Sequence, residues 1–160
     1  MYKTYIDIPE GDREKLVGLL NARLADLIDL QTQMKQAHWN VKGPSFIALH
    51  ELFDDVTDVV REASDSVAER ATALGGIARG TARMAAEKSV LSEYPADLSD
   101  GMAHCKAVAQ ALGTAGAHIR KAIAESAEIG DAATEDLFTE IARELDEKLW
   151  FVEAHLQAER

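Results

Sequence analysis

The segment from Ser45 to Gly76 carries four polar side chains whose types and spacing suit metal binding. They are His50, Asp54, Asp65 and Glu69. In a helix that turns about 100° per residue they fall, in that order, at about 0°, 40°, 60° and 100° around the axis, so all of them share one side. Imidazole and carboxylate groups bind hard or borderline cations such as iron or manganese. The competing interpretation is a solvated acidic helix face that binds no metal.

The two pairs in this stripe lie too far apart to share a metal ion within one chain. They are centred on positions 52 and 67, fifteen residues apart, which corresponds to about 22 Å along a helix. A second copy of the helix, antiparallel across a two-fold axis between Val59 and Val60, would set each pair opposite the other. The same axis sets Asp58 opposite Arg61, so that opposite charges meet. The spacing therefore predicts two shared metal sites per homodimer.

Length, charge and cysteine content bound the class of protein. A chain of 160 residues fits one domain, and its Ala-, Leu- and Glu-rich composition favours an all-helical class. The net charge of −11 favours cations over nucleic-acid phosphates as partners. No apolar run is long enough to span a membrane, and the N-terminus does not resemble a signal peptide. With a single cysteine, Cys105, which we expect to be buried or interfacial, the sequence predicts a cytoplasmic protein.

Apolar periodicity predicts two long helices in the first half of the chain. Residues 1–11 form a short arm, and Asp12 is expected to be the N-cap of a first helix over about 13–40. Leucines recur in that helix at spacings of three, four and seven residues, which is typical of one face packed on a core. The second helix follows Ser45 as its N-cap and ends at the glycines of positions 75–76.

The turn between these helices brings another histidine to the metal-binding stripe. Its sequence, Gly43-Pro44-Ser45, breaks the chain tightly, so the two helices are expected to be antiparallel neighbours. His38, in the last turn of the first helix, then lies close to His50. A histidine at a helix end is more often a capping or core residue, and the adjacent Trp39 is more often a packing residue. Those interpretations remain alternatives to a site.

The second half of the chain completes a four-helix bundle. A long crossover over 77–97 contains a short helix at 81–87, and a third helix runs from Leu98 or Ser99 to Ala127. A turn at 128–131 precedes a fourth helix that extends to roughly Gln157. Long helices with one long middle connection predict an all-α, one-crossover bundle. Ordinary di-iron bundles use Glu-x-x-His motifs, and their absence here disfavours a centre within one chain.

Several motifs carry a resemblance to a known family. They are KQAHWNVKGPSFIALHELFD, D-x-x-x-E-R-A-x-x-L-G-G, YPAD and DEKLWFVEAH. On these motifs, and over nearly its whole length, the chain resembles the Dps-type mini-ferritins, the DNA-binding proteins from starved cells, which have a ferritin-like four-helix bundle. The resemblance implies a hollow homododecamer that oxidises Fe²⁺ to Fe³⁺, preferably with H₂O₂, stores the ferric mineral and protects against oxidative damage.

The resemblance also implies a ferroxidase centre with two irons per inter-subunit site. Its ligands would be His38, His50 and Asp54 from one subunit, with Asp65 and Glu69 from the two-fold mate. Trp39 corresponds to a tryptophan beside that centre, which intercepts stray oxidising equivalents. Glu51 corresponds to an inner-wall position of mineral nucleation, and Asp131 lies in the turn where the family lines its iron pores.

The termini depart from the pattern of many family members, which bind DNA through a lysine-rich tail. The N-terminal arm here is short, with Lys3 and Arg13 set against three acidic residues, and the chain ends in Gln-Ala-Glu-Arg. We therefore predict weak or absent DNA binding. Two alternatives to a ferroxidase remain open: a DNA-compacting architectural protein with incidental iron binding, and a metal store without catalysis.

Overall fold

The computed structural model of the protein describes residues 1–157, which form five helices. They are α1 (Glu10–Asn40), α2 (Phe46–Ala73), α3 (Ala82–Lys88), α4 (Gly101–Ile129) and α5 (Ala132–Glu153). α1 packs mainly against α2, and α4 packs mainly against α5. The two helix pairs are joined by a long crossover that contains α3. This arrangement confirms the predicted all-α bundle, whereas the assignment of the whole chain to a single domain stays a prediction.

The four long helices enclose one apolar core. The large side chains that are fully buried are Phe53, Phe138, Leu16, Leu20, Leu27, Leu30, Met34, Leu49, Leu74, Leu112, Ile119 and Ile141. Within each helix they recur at spacings of three, four or seven residues, which is typical of a single face, and Leu74 directly follows α2. Cys105 is fully buried in this core, and burial raises the pKa of its thiol to about 11. That thiol therefore stays protonated and packs as a small apolar group.

α1 begins earlier than predicted, so the expected N-cap was wrong. Its first residue is Glu10, and the carbonyl of Pro9 accepts hydrogen bonds from the backbone N–H groups of Asp12 and Arg13, each at 3.0 Å. Proline suits a helix start because its ring fixes φ near the helical value and it has no N–H to leave unpaired. Asp12 instead lies in the first turn, where its carboxylate pairs with Lys15 at 2.8 Å.

The start of α4 also differs from its predicted position. The helix begins at Gly101 rather than at position 98 or 99. Asp100 is the N-cap, since its carboxylate accepts a hydrogen bond from the backbone N–H of Ala103 at 2.9 Å. The preceding residues are therefore free to contact the turn between α1 and α2, which bears on the metal site.

The turn between α4 and α5 is shorter than predicted. α4 continues to Ile129, through the first half of the turn expected at 128–131, and ends where Gly130 adopts a positive φ of 89°. A left-handed glycine at this position is a common helix terminator because it carries no Cβ. α5 ends at Glu153 rather than near Gln157. The start of α2 after Ser45 and the short helix α3 lie within one residue of prediction.

The N-terminal arm is fastened to the bundle. The backbone N–H of Tyr2 donates to the carbonyl of Gly75 at 2.7 Å. Arg13, which is buried, donates from Nη1 to the carbonyl of Leu74 at 2.8 Å and from Nε to that of Ile8 at 3.1 Å. The arm therefore lies against the end of α2. Residues 158–160, part of the C-terminal tail considered for DNA binding, lie outside the described residues.

Candidate metal centre

The turn that joins α1 to α2 is held against the start of α4. The backbone N–H of Lys42 donates to the carbonyl of Ser99 at 2.9 Å. At Gly101 the contact is so close that an added Cβ would lie 2.7 Å from Cδ1 of Leu49. Such a separation is shorter than any packed carbon contact, so a larger residue at this position would force the buried Leu49 side chain to move. These contacts fix the last turn of α1 and the first turns of α2 relative to each other.

His38 and His50 meet across this junction. Their rings are stacked with centroids 3.7 Å apart and planes at 21°. Nδ1 of His38 lies 2.7 Å from the carbonyl oxygen of His50, and Nδ1 of His50 lies 2.9 Å from that of His38. A carbonyl only accepts, so each Nδ1 carries the hydrogen. In the neutral rings Nε2 therefore keeps the lone pair that a metal ion requires.

Asp54, one turn beyond His50 on α2, pairs with a lysine. Its carboxylate lies 2.5 Å from Nζ of Lys35, one turn before His38 on α1. The hydrogen bond from Lys35 holds the pKa of Asp54 below its ordinary value, and the nearby His38 and His50 act in the same direction. Asp54 is therefore ionised at neutral pH, as a metal ligand must be. The ammonium group of Lys35 occupies the position beside this carboxylate where a metal cation would bind, so a metal ion would have to displace it.

Asp65 and Glu69 are not brought to this cluster. Both side chains are exposed farther along α2, and neither forms an ion pair within residues 1–157. Asp65 borders a surface depression of about 490 Å³ between α1, α2 and the crossover, which Arg61 also lines. Within the described range of one chain, no group of three or more His, Cys, Asp or Glu side chains is placed to hold a metal ion.

The three accessory residues have different surroundings. Trp39 is 67% exposed, with Nζ of Lys35 6.0 Å from its ring centre, and Glu51 is exposed on α2. Asp131 is buried, caps α5, pairs with Arg70 at 2.7 Å and accepts a hydrogen bond from Thr134. Burial alone would raise the pKa of Asp131, but these hydrogen bonds outweigh it and lower the pKa. Its carboxylate is thus bonded within the chain.

Comparison with known proteins agrees with this architecture. A family model described as a ferritin-like domain matches residues 17–160. The DNA protection during starvation protein of Agrobacterium fabrum is 43% identical, over 98% of this chain and 96% of that protein. Solved structures similar to the chain include DpsA14 from Streptomyces coelicolor, with 39% identity, a TM-score of 0.93, and coverage of 98% of this chain and 92% of that one. A tetragonal form of Mycobacterium smegmatis Dps also gives 0.93, at 30% identity, covering 99% and 95% of the two chains.

The chain belongs to the Dps-type mini-ferritins of the ferritin-like family. The resemblance and the ferritin-like bundle predicted from the sequence are thereby confirmed. Iron binding and protection against oxidative stress are general properties of this group. In residues 1–157 of this mini-ferritin, none of the helices has the length and apolar character needed to cross a membrane.

Two features of the site escaped the sequence interpretation. Lys35 stands one turn before His38 on the same helix face, and this spacing was the available signal for an interaction near the site. Gly101 lies 63 positions after His38 and pairs with the turn only in three dimensions. No local pattern marks such a contact.

Proposed function

We propose that this mini-ferritin is a ferroxidase that oxidises Fe²⁺, preferably with H₂O₂, at two sites shared between two-fold-related subunits. The observation that carries the proposal is the separation of the ligands within one chain. His38 and His50 each direct Nδ1 at a carbonyl oxygen, which leaves Nε2 of both rings for a metal ion at one end of α2. Asp65 and Glu69 are exposed and without an ion pair nearer the other end, within the described residues. An antiparallel partner helix joins the two halves.

Each residue has a distinct part in this proposal. His38, with the partner subunit's Asp65 and the partner subunit's Glu69, binds the tighter iron. His50 and Asp54 bind the second iron, which is held more weakly because Lys35 competes for Asp54. Two Fe²⁺ ions then supply both electrons that reduce H₂O₂, and with two protons this yields two Fe³⁺ ions and two water molecules. Delivery of both electrons together releases no radical.

Storage and assembly extend this proposal beyond the site. We propose that six two-fold dimers form a hollow homododecamer in the cytoplasm and that ferric mineral accumulates inside it. Glu51, which is exposed on α2, would nucleate the mineral on the inner wall. Asp131 is the candidate iron-pore residue, and iron would have to compete with Arg70 for its buried carboxylate.

Loss of the carboxylates tests catalysis directly. The double variant Asp65→Ala, Glu69→Ala is expected to lose peroxide-dependent Fe²⁺ oxidation, because the tighter iron then has only one ligand per site. Glu125→Ala, Glu128→Ala is the matched control, since it removes two exposed carboxylates from α4 and the same charge. The measurement is the rate of Fe³⁺ formation by absorbance under anaerobic conditions with added H₂O₂. If the double variant forms Fe³⁺ as fast as the control, oxidation does not depend on Asp65 and Glu69, and the proposed site is at most a metal store without catalysis.

A further inference from the structure

Tyr94 and His104 form a hydrogen-bonded pair behind the metal site. The hydroxyl oxygen of Tyr94 lies 2.7 Å from Nδ1 of His104, and Nε2 of His104 lies 3.1 Å from the carbonyl oxygen of Leu98. Because that carbonyl only accepts, Nε2 carries the hydrogen and Nδ1 is the acceptor. The Tyr94 hydroxyl therefore donates to the imidazole. His104 is 1% exposed, and Tyr94 is partly buried.

The pair adjoins the site without contributing a ligand to it. The His104 ring centre lies 6.4 Å from that of Phe53, the residue before Asp54. Tyr94 and Trp39 line the same surface depression, of about 350 Å³, and Trp39 directly follows His38. Phe53 and Trp39, each next to a proposed ligand in the sequence, thus lie near His104 and beside the depression of Tyr94, respectively.

This geometry suits proton-coupled electron transfer, in which Tyr94 gives up an electron while its hydroxyl proton moves to His104. A phenol gives up an electron readily only if its proton leaves at the same time, and an unprotonated imidazole nitrogen at 2.7 Å can take that proton. Burial raises the pKa of Tyr94, so no phenolate is present beforehand. Burial also lowers the pKa of His104, which keeps the ring neutral and able to accept at neutral pH.

We propose that Tyr94 is an internal one-electron donor that quenches oxidants formed at a half-filled metal site, with His104 as its proton acceptor. The proposal rests on the proposed function. When a single Fe²⁺ is bound, it gives one electron to H₂O₂, and the products are Fe³⁺, hydroxide and an oxidant of the hydroxyl-radical class. Tyr94 supplies the missing electron, which converts that oxidant to hydroxide. The phenolic O–H bond breaks and its proton moves to Nδ1 of His104.

The step leaves a neutral phenoxyl radical on Tyr94 and an imidazolium on His104. A later Fe²⁺ can return the electron while His104 returns the proton, which restores both side chains and yields another Fe³⁺. The same hydrogen bonds also fasten the crossover to α4, and a purely structural pair would do only that. The two roles differ in one observable, because only a redox role places a radical on this tyrosine.

Freeze-quench electron paramagnetic resonance tests the proposal. The assembled protein is mixed with one Fe²⁺ per site and then with H₂O₂. The chain has three tyrosines, and Tyr5 is 94% exposed, so Tyr5→Phe is the matched control. We expect a phenoxyl signal in the natural protein and in Tyr5→Phe, and its loss in Tyr94→Phe. An undiminished signal in Tyr94→Phe, or none in the natural protein while Fe³⁺ forms, would overturn the proposal.

A second measurement separates this proposal from the ferroxidase proposal. Fe³⁺ is quantified in the same samples, and its absence would contradict the ferroxidase function instead. The pair is then tested without iron by a photogenerated one-electron oxidant, in a Tyr2→Phe, Tyr5→Phe background. A phenoxyl signal that forms more slowly in D₂O and is weakened by His104→Gln, which cannot take up the proton, supports the pair. If the phenoxyl signal forms at the same rate in D₂O as in H₂O, and at the same rate in His104→Gln as with His104 present, the proposal is contradicted.

Discussion

His38 and His50 orient each other through the backbone rather than through carboxylates. Each Nδ1–H donates to the carbonyl of the other residue, at 2.7 and 2.9 Å. Metal-binding histidines commonly use the second ring nitrogen in this way, which fixes the tautomer and the direction of the lone pair. Because both acceptors are helix carbonyls, the geometry of the ligands depends on how α1 and α2 lie against each other. A shift of either helix would move both lone pairs together.

We expect Lys35 to weaken the binding of the second iron in the proposed site. Lys35→Met keeps the apolar stem and removes the ammonium that pairs with Asp54 at 2.5 Å. The second Fe²⁺ then meets a free carboxylate, and because such partly exposed pairs are worth about 0.2–1 kcal/mol, its affinity should rise by about 1.5- to 5-fold. An anaerobic Fe²⁺ titration monitored by isothermal calorimetry measures this change in affinity.

The control for Lys35 lies on another pair of helices. Lys148→Met removes the same charge from α5, where Nζ of Lys148 pairs with Asp55 at 2.6 Å. Asp55 lies next to Asp54 in the chain but belongs to a different ion pair. If both variants change the affinity of the second iron equally, general charge rather than competition at Asp54 explains the effect.

At the scale of the helices, Gly101 determines how closely α4 approaches the turn that carries the site. In Gly101→Ala the new Cβ meets Cδ1 of Leu49 at 2.7 Å. Such overpacking should cost about 1–3 kcal/mol and lower the midpoint of thermal unfolding by about 2–4 °C for each kcal/mol. Gly113→Ala, in the same helix with no atom within 4 Å of the added Cβ, should stabilise by about 0.5–1 kcal/mol. Equal shifts in both variants would show that the contact with Leu49 is unimportant.

Helical periodicity made the placement of the proposed ligands within one chain predictable from the sequence. One residue per 100° places Asp54 and His50 on one side of α2, and a tight turn after α1 necessarily brings His38 near them. The structure agrees on both points. The exchange of hydrogen bonds between the two histidines was not predictable, because it depends on the offset between the helices rather than on spacing within either one.

Helix ends and long-range contacts were the parts that sequence patterns missed. Asp12 had the side chain of an N-cap, yet Pro9 is the N-cap and α1 begins at Glu10, because the fixed φ and missing N–H of proline suit a helix start as well. Likewise Leu98 and Ser99 lie before α4, since Asp100 caps it. Two neighbouring residues can each be a plausible helix start from the sequence alone. Which of them begins the helix then depends on tertiary contacts, such as the hydrogen bond from Arg13 to the carbonyl of Leu74.

At the scale of the whole molecule, charge governs the interaction with DNA. A dodecamer of chains that each carry −11 would carry −132, and the N-terminal arm is bonded to Gly75 rather than extended as a basic tail. We expect no complex with duplex DNA, because few phosphates can be neutralised. A gel-shift assay at low salt and micromolar protein checks this. Retained duplex would favour the DNA-compacting alternative.

The shared site is tested most directly by mixing two inactive chains. One carries His50→Ala and Asp54→Ala, and the other carries Asp65→Ala and Glu69→Ala, so each homodimer lacks part of both sites. In a mixed dimer, one site combines the intact His50 and Asp54 of one chain with the intact Asp65 and Glu69 of the other. The second site lacks all four of these side chains. Co-assembled protein should therefore regain Fe²⁺ oxidation at one of two sites in every mixed dimer. Activity that stays at the level of the separate variants, with mixed dimers shown to be present, would contradict ligation across the two-fold axis.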